Sequence, residues 1–320
     1  MATEVARTRP LSEFRASELQ PLLEAEASHW QAELLWDYGE VSAAVASGVE
    51  RRSLTGRVLV LGEAPVAYCY YLQDGDRAIV GSLYACEGYR DHGFEEDLLM
   101  AVLRQAQAER CHRRVECQTL FSTSAAADTC FSRSGFASAA RHYLIRPLDV
   151  PWPEGGAAVR LRHLRRSDLD QAGSIVYESH RGSIDAALNT TYATPRHCRQ
   201  FVETLVLRAG CGQFESEASF VAEGPSGLLG VILASQLSPG NGHVCQVSVR
   251  PGAQGQGLGE ALLRATLEAF RRGRLSVASL SVTVDNRRAY RLYERLGFEV
   301  RRSFAAHAWA RPPAHVVLPA

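Results

Sequence analysis

The stretch Val247–Gly259, VSVRPGAQGQGLG, decides how this chain is to be read. A β-branched run ends at Val249 and is broken by Arg250 and Pro251, as a strand end would be. Gly255, Gly257 and Gly259 follow, and then Leu258, Leu262, Leu263, Leu267 and Phe270 fall near a helical period. The pattern predicts a strand, a glycine-rich turn and an amphipathic helix over Gly257–Arg272. Glycines let the backbone approach a ligand closely. The first amides of a helix have no intrahelical acceptor and sit at the positive end of its dipole. The loop is therefore expected to grip a phosphate or pyrophosphate.

Three phosphate-binding patterns compete. The P-loop requires a lysine, and this chain has none. The dinucleotide fingerprint requires GxGxxG and an acidic residue closing a second strand, which the glycine spacing here does not match. The third, Q/R-x-x-G-x-G/A, fits Gln254, Gly257 and Gly259. A second motif lies downstream in VDNRRAYRLYERLGF, where Asn286, Ala289, Leu292, Tyr293, Gly297 and Phe298 fit N-x-x-A-x-x-L-Y-x-x-x-G-F. With both motifs in this order, the chain resembles the GNAT superfamily of N-acetyltransferases over roughly Ala158–Pro312.

That resemblance implies an α/β (α+β) domain. Its mixed, mostly antiparallel twisted sheet is flanked by helices, and its fourth and fifth strands splay to leave a slot. It implies an acyltransferase that uses acetyl-CoA as cosubstrate and moves the acetyl group to an amine of a small molecule or peptide within a ternary complex. Backbone groups of Val247 and Val249 would bond the pantetheine arm. Amides of Gln254, Gly255, Gln256, Gly257, Leu258 and Gly259 would hold the pyrophosphate. Asn286, Ala289 and Tyr293 would face the cosubstrate, with Tyr293 as general acid and the Val247 amide as oxyanion donor. Asn286 also suits a helix N-cap, and Tyr293 a packed aromatic.

The chain departs from the pattern at Gln246, where some relatives carry a glutamate, so the base stays open among Glu217, His180, Asp185, His243 and relayed water. The polar stretch His180–Tyr192 lies where this family shapes its acceptor pocket, which makes His180, Asp185, Asn189 and Tyr192 candidate acceptor contacts. The alternative function is a non-catalytic acyl-CoA sensor or a protein-interaction module.

The two halves of the chain echo each other. The first contains a strand meander, RVLVLGEAPVAYCYYLQ and DRAIVGSLYAC, then the helical EEDLLMAVLRQAQAER, then CFSRSGF at Cys130–Phe136, which matches LYERLGF at Leu292–Phe298. Four elements in one order point to an internal duplication. A Pro/Gly-rich stretch, LDVPWPEGGAA, reads as a linker, giving domains at 1–148 and 159–320 joined through 149–158. The first half is degenerate. Arg90 and Gly93 fit its loop, but Glu95 replaces the last glycine, Glu96 and Asp97 add negative charge, Phe131 stands for Tyr293, and Ser124 falls near the Asn286 position. Carboxylates there repel a pyrophosphate, so this half is expected to bind no CoA. The layout is similar to that of the mycothiol synthases, with one working half.

Composition narrows the remaining classes. Basic and acidic residues balance at 35 each over 320 residues, which gives no bulk attraction to nucleic acid or an anionic membrane. Every one of those basic residues is arginine, in keeping with a high-GC coding sequence. No apolar run approaches the roughly 18 residues of a membrane span, and the N-terminal residues lack the apolar core of a signal peptide. The arginine pairs Arg165–Arg166, Arg271–Arg272 and Arg301–Arg302 read as solvated faces. The eight cysteines form no CxxC pair and no zinc spacing with histidine, so buried free thiols, no metal and a cytoplasmic location are expected. Oligomeric state is open between monomer and homodimer.

Overall fold

The structure, a computed structural model, describes residues 6–89, 94–118, 120–121, 125–153, 155, 159–208 and 211–312. Its elements run β1 (Ala6–Pro10), α1 (Ala16–Leu34), α2 (Gly39–Glu50), β2 (Thr55–Leu61), β3 (Ala64–Asp74), β4 (Arg77–Ala85), α3 (Phe94–Ala108), β5 (Arg114–Gln118), α4 (Ala125–Arg133) and β6 (Ala137–Pro147). They continue with β7 (Leu161–His163), α5 (Leu169–His180), α6 (Ile184–Leu188), α7 (Pro195–Leu207), β8 (Gln213–Phe214), β9 (Phe220–Gly224), β10 (Gly227–Ser238), β11 (Asn241–Val249), α8 (Leu258–Arg272), β12 (Val277–Thr283), α9 (Arg287–Arg295) and β13 (Glu299–Ala310). Arg90, Gly93 and Ser124 of the first half's motifs lie outside the described residues.

Two compact units result, and they do not follow the halves of the chain. One comprises 1–29, 38–138 and 304–320, the other 30–37 and 139–303. In the first, strands run β1-β2-β3-β4-β5 and end on the Phe304–Ala310 part of β13, which pairs antiparallel with β5 from Ala306 opposite Gln118 to Ala310 opposite Arg114. In the second, the order is β6-β12-β11-β10-β9-β7, with β6 antiparallel to β12 from Pro147 opposite Val277 to Arg141 opposite Thr283. The expected boundary at 148/149 thus falls inside the second unit, and each sheet is completed by a strand from the other half of the sequence.

The duplication is visible in register. Each unit is an antiparallel meander with one parallel pair: β4 with β5 from Arg77/Arg114 to Val80/Cys117, and β11 with β12 from Asn241/Val277 to Val244/Leu280. In both, a long helix crosses between the parallel strands, as parallel pairing demands. The apolar stripe of α8 buries Leu258, Leu262, Leu263, Leu267 and Phe270 as expected, against Ile232, Ala234, Val244 and Leu280. Gly242 admits that packing, since a Cβ there would lie 2.7 Å from the Phe270 ring. Its counterpart α3 buries Leu98, Leu99, Val102 and Leu103 against Ala67, Val80 and Val115.

Strand β6 is held in its unit by polar ties as well as by the ladder. The buried Arg146 guanidinium donates to the carbonyls of Leu296 and Val150, each at 2.5 Å, and lies over the Trp152 ring. The Tyr143 hydroxyl donates to the Leu34 carbonyl at 2.9 Å, and Asn241 donates to the carbonyls of Leu34 and Leu35. Arg301 and Arg302 are not merely solvated. They donate to the carbonyls of Ala32 and Glu33 and to the Glu33 carboxylate.

Candidate active site

The site begins with where strand β11 stops pairing. Its ladder to β12 ends at Val244 opposite Leu280, whereas β12 continues to Thr283 against β6. On its other side, β11 skips a residue: Gln246 faces Leu233 and Val244 faces Ala234, so Cys245 is bulged. A bulge bends and twists its strand. The edge of β11 beyond Cys245 therefore faces a gap rather than β12, which is the expected splayed slot. Lining a cavity of about 80 Å³ in this gap are Val247 and Gln246 from β11, Ser281 and Thr283 from β12, and Asn286 and Tyr293 at α9.

The loop after β11 leads straight into the start of α8. Gly255 and Gly257 adopt φ of 85° and 79°, a region costly for residues with a Cβ. Gly257 caps α8, and the first ladder bond runs from the Ala261 amide to the Gly257 carbonyl at 3.0 Å, so the amides of Leu258, Gly259 and Glu260 precede the helix ladder. Gln254 is a positioning residue: its Nε2 donates to the Val249 carbonyl at 3.1 Å, and its Oε1 accepts from Arg288 at 3.0 Å. Arg250 ties the loop's start to α5 through both oxygens of Glu178, and donates to the Leu228 carbonyl at 2.8 Å. Neither Arg250 nor Arg288 stood out as a site residue in the sequence, because an arginine by itself carries no spacing signal.

Asn286 is the N-cap of α9, accepting from the Ala289 amide at 3.2 Å, and also lines the cavity. Tyr293 is buried, sits edge-on to Phe298, and makes no hydrogen bond through its hydroxyl among the described residues. Burial raises its hydroxyl above the ordinary range, and the nearby Asp185 adds to this. The phenol stays protonated at neutral pH.

The opposite wall is polar and comes from α5, α6 and the turn beyond. His180 stacks flat on Tyr192, with centroids 4.1 Å apart. Its Nδ1 lies 2.9 Å from the Val176 carbonyl, which can only accept, so Nδ1 carries the proton and Nε2 the lone pair. Burial lowers its pKa, with Arg141 adding to the effect while the Val176 bond and Asp185 oppose it. Tyr192 donates to Gln246 at 3.2 Å, and burial pushes its hydroxyl up to about 12. Gln246 donates in turn to Ser248 at 2.9 Å. Asp185 accepts from Thr283 at 2.5 Å.

Of the four candidate bases, His180 and Asp185 line the cavity. His243 is packed near the Tyr143 and Trp36 rings with Nδ1 2.9 Å from Ser279, and burial lowers it to about 4. The Glu217 carboxylate is exposed and lies near His163. Asn189 spends its side chain on the Thr191 amide and is not among the lining residues. Arg141 is the charged lining residue that sequence reasoning missed. It sits on β6, in what reads as the other half.

The two-unit mixed sheet, with one splayed parallel pair leading into a glycine loop, defines a tandem GNAT fold. Residues 188–298 match the acetyltransferase (GNAT) family. Among curated relatives, a mycothiol acetyltransferase of Propionibacterium freudenreichii is 29% identical over 174 residues, covering 53% of this chain and 51% of its own length. One of Streptomyces avermitilis is 41% identical over 86 residues, covering 27% and 28%. The chain thus spans about half or less of the length of these relatives. A GCN5-related N-acetyltransferase from Sphaerobacter thermophilus superposes with a TM-score of 0.64 at 21% identity, over 96% of both chains. A tandem GNAT protein from the clavulanic acid biosynthesis pathway gives 0.58 at 15% identity, over 97% of this chain and 100% of its own. Among the described residues, no helix is long and apolar enough to cross a membrane.

Proposed function

We propose that the chain is an acetyl-CoA-dependent N-acyltransferase that acetylates an amine of a small molecule or peptide in the cytoplasm, by direct attack within a ternary complex. The observation that carries this reading is the unpaired edge of β11 leading straight into the open amides at the start of α8, with the Tyr293 hydroxyl on the cavity wall.

The pantetheine arm would add to the β11 edge at Val247 and Val249 as an extra strand does. The amides from Gln254 to Gly259 would take the pyrophosphate, with Arg288 alongside. A bound CoA thioester supplies an activated acyl carbon and a thiolate leaving group. His180, neutral and with Nε2 as its ring acceptor, takes the proton of the attacking amine directly or through one water. The Val247 amide donates to the oxyanion. Tyr293 gives its proton to the departing sulfur. Gln246 cannot take a proton, which favours a second reading as an acyl-CoA sensor without turnover.

Thiol release from acetyl-CoA across a panel of amines separates the two. Release with any amine supports the enzyme, and binding without release across the panel supports the sensor. The first unit is proposed to bind no CoA, because Glu95, Glu96 and Asp97 crowd the first turn of α3 and Phe131 replaces the tyrosine. Calorimetry is expected to give one CoA per chain, and two equivalent sites would contradict this.

A further inference from the structure

The turn that follows α3 in the first unit brings three unlike donor atoms together. Glu109, Cys111 and His112 place a carboxylate oxygen, Sγ and a ring nitrogen within 4.8 Å of one another. His112 is fully buried, and its Nδ1 lies 2.9 Å from the Ala106 carbonyl. That carbonyl can only accept, so the proton is on Nδ1 and the lone pair is on Nε2. Nε2 is buried and has no hydrogen-bond partner among the described residues. Another acceptor, Oε2 of Glu109, lies 3.5 Å from it, and Cys111 Sγ lies 3.9 Å from the same oxygen.

We infer that these three residues form a binding site for a divalent cation of the zinc class. The donor set of one sulfur, one imidazole nitrogen and one carboxylate oxygen suits such an ion rather than magnesium or calcium. Bonds of about 2.3 Å to sulfur and about 2.0–2.2 Å to nitrogen and oxygen at tetrahedral angles put donor atoms roughly 3.4–3.6 Å apart. The two separations to Glu109 Oε2, 3.5 Å and 3.9 Å, are within a few tenths of an ångström of that, and the third lies within 4.8 Å.

The residues behind the donors are those a metal site needs. The Ala106 carbonyl fixes the histidine tautomer. Tyr71 donates to Glu109 Oε1 at 2.5 Å and packs edge-on to the His112 ring, leaving Oε2 for the ion. Arg311 clamps the turn's backbone by donating to the carbonyls of Gln107, Glu109 and His112. Cys111 is exposed, so the fourth position faces solvent and takes water. Binding replaces the thiol proton by the metal, releasing one proton to solvent. The short spacing, Cys111 beside His112, belongs to no standard zinc pattern, which is why the sequence pointed away from metal.

A proton in place of the metal, pairing His112 with Glu109, would satisfy Nε2 without involving the thiol. Cobalt(II) titration of the full chain after chelator treatment distinguishes the two. One equivalent is expected to give a thiolate-to-cobalt charge-transfer band that zinc displaces. Cys111→Ser should lose the band and weaken binding at least tenfold, Glu109→Gln should weaken binding, and Cys86→Ser should leave the band intact. No band in the unaltered chain, or a band that survives Cys111→Ser, would overturn the assignment. The site lies in the first unit, so either outcome is independent of acyl transfer in the second.

Discussion

Replacing Tyr293 by phenylalanine removes one oxygen and leaves the ring. The ring is 6% exposed and packs on Phe298 with centroids 6.0 Å apart, contacts that phenylalanine keeps. The lost hydroxyl has no hydrogen-bond partner among the described residues, so its removal strands no buried group, and stability should change by less than about 1 kcal/mol. Catalysis should not be spared. A positioned acid contributes about 10²–10⁴-fold, or roughly 3–5 kcal/mol of barrier. Thiol release under saturating acetyl-CoA should fall by that factor, while the CoA dissociation constant from calorimetry stays within about twofold.

The pH profile gives a second reading of the same residue. An acid acts while protonated, and burial with Asp185 nearby raises the Tyr293 pKa. Any alkaline loss due to this group therefore lies above the ordinary tyrosine value of about 10. If the phenylalanine variant retained kcat within about threefold, with melting temperature and CoA affinity unchanged, Tyr293 would be a packing residue and the leaving thiolate would need another proton source.

Gly257→Glu puts a carboxylate and a left-handed non-glycine residue at the cap of α8, and calorimetry should detect no CoA binding, whereas retained binding would remove the loop from the site. Burial depresses the His180 pKa and Arg141 adds to it, so Arg141→Gln should make the imidazole easier to protonate and move the acid limb of kcat/KM to higher pH; an unmoved limb argues against His180 as base. His243 and His307 are both held at about 4 by burial, below the unfolded value of about 6.5. Between those values the unfolded chain binds more protons, so their stabilisation is complete above about pH 6.5 and is lost as pH falls toward 4, by about 3 kcal/mol per histidine. Denaturant midpoints across that range check it, and His243→Gln should flatten the second unit's share.

What was legible in the sequence was local. The α8 stripe and the glycine spacing at Gly255 and Gly257 depend on neighbours within a few residues, and the structure places them where periodicity and φ preference said. The short helix α6 and the turn at Thr190–Tyr192 fall in the stretch that reads only as polar, because a five-residue helix is too short to show a period. The donors at Glu109, Cys111 and His112 escaped notice for a related reason, since what marks them is the burial of one ring nitrogen and its anchor on Ala106.

The exchange of β6 and β13 was illegible on different grounds. Both strands leave a helix through the same kind of turn, Ser-Gly-Phe at Ser134–Phe136 and Leu-Gly-Phe at Leu296–Phe298, and both alternate in the same way. A strand's period fixes which face it buries, not which edge it joins. In a duplicated chain the two edges, β5 and β12, are near equivalents, so local pattern cannot choose between them. The choice decides the chemistry: pairing β6 with β12 sets Arg141 opposite Thr283, and so brings a cation to the same wall as Asp185 and His180. The first half is proposed to bind no cosubstrate of its own, yet the cavity of the second unit is lined by Arg141, a residue that precedes the linker, so the two halves of the sequence do not divide the site cleanly.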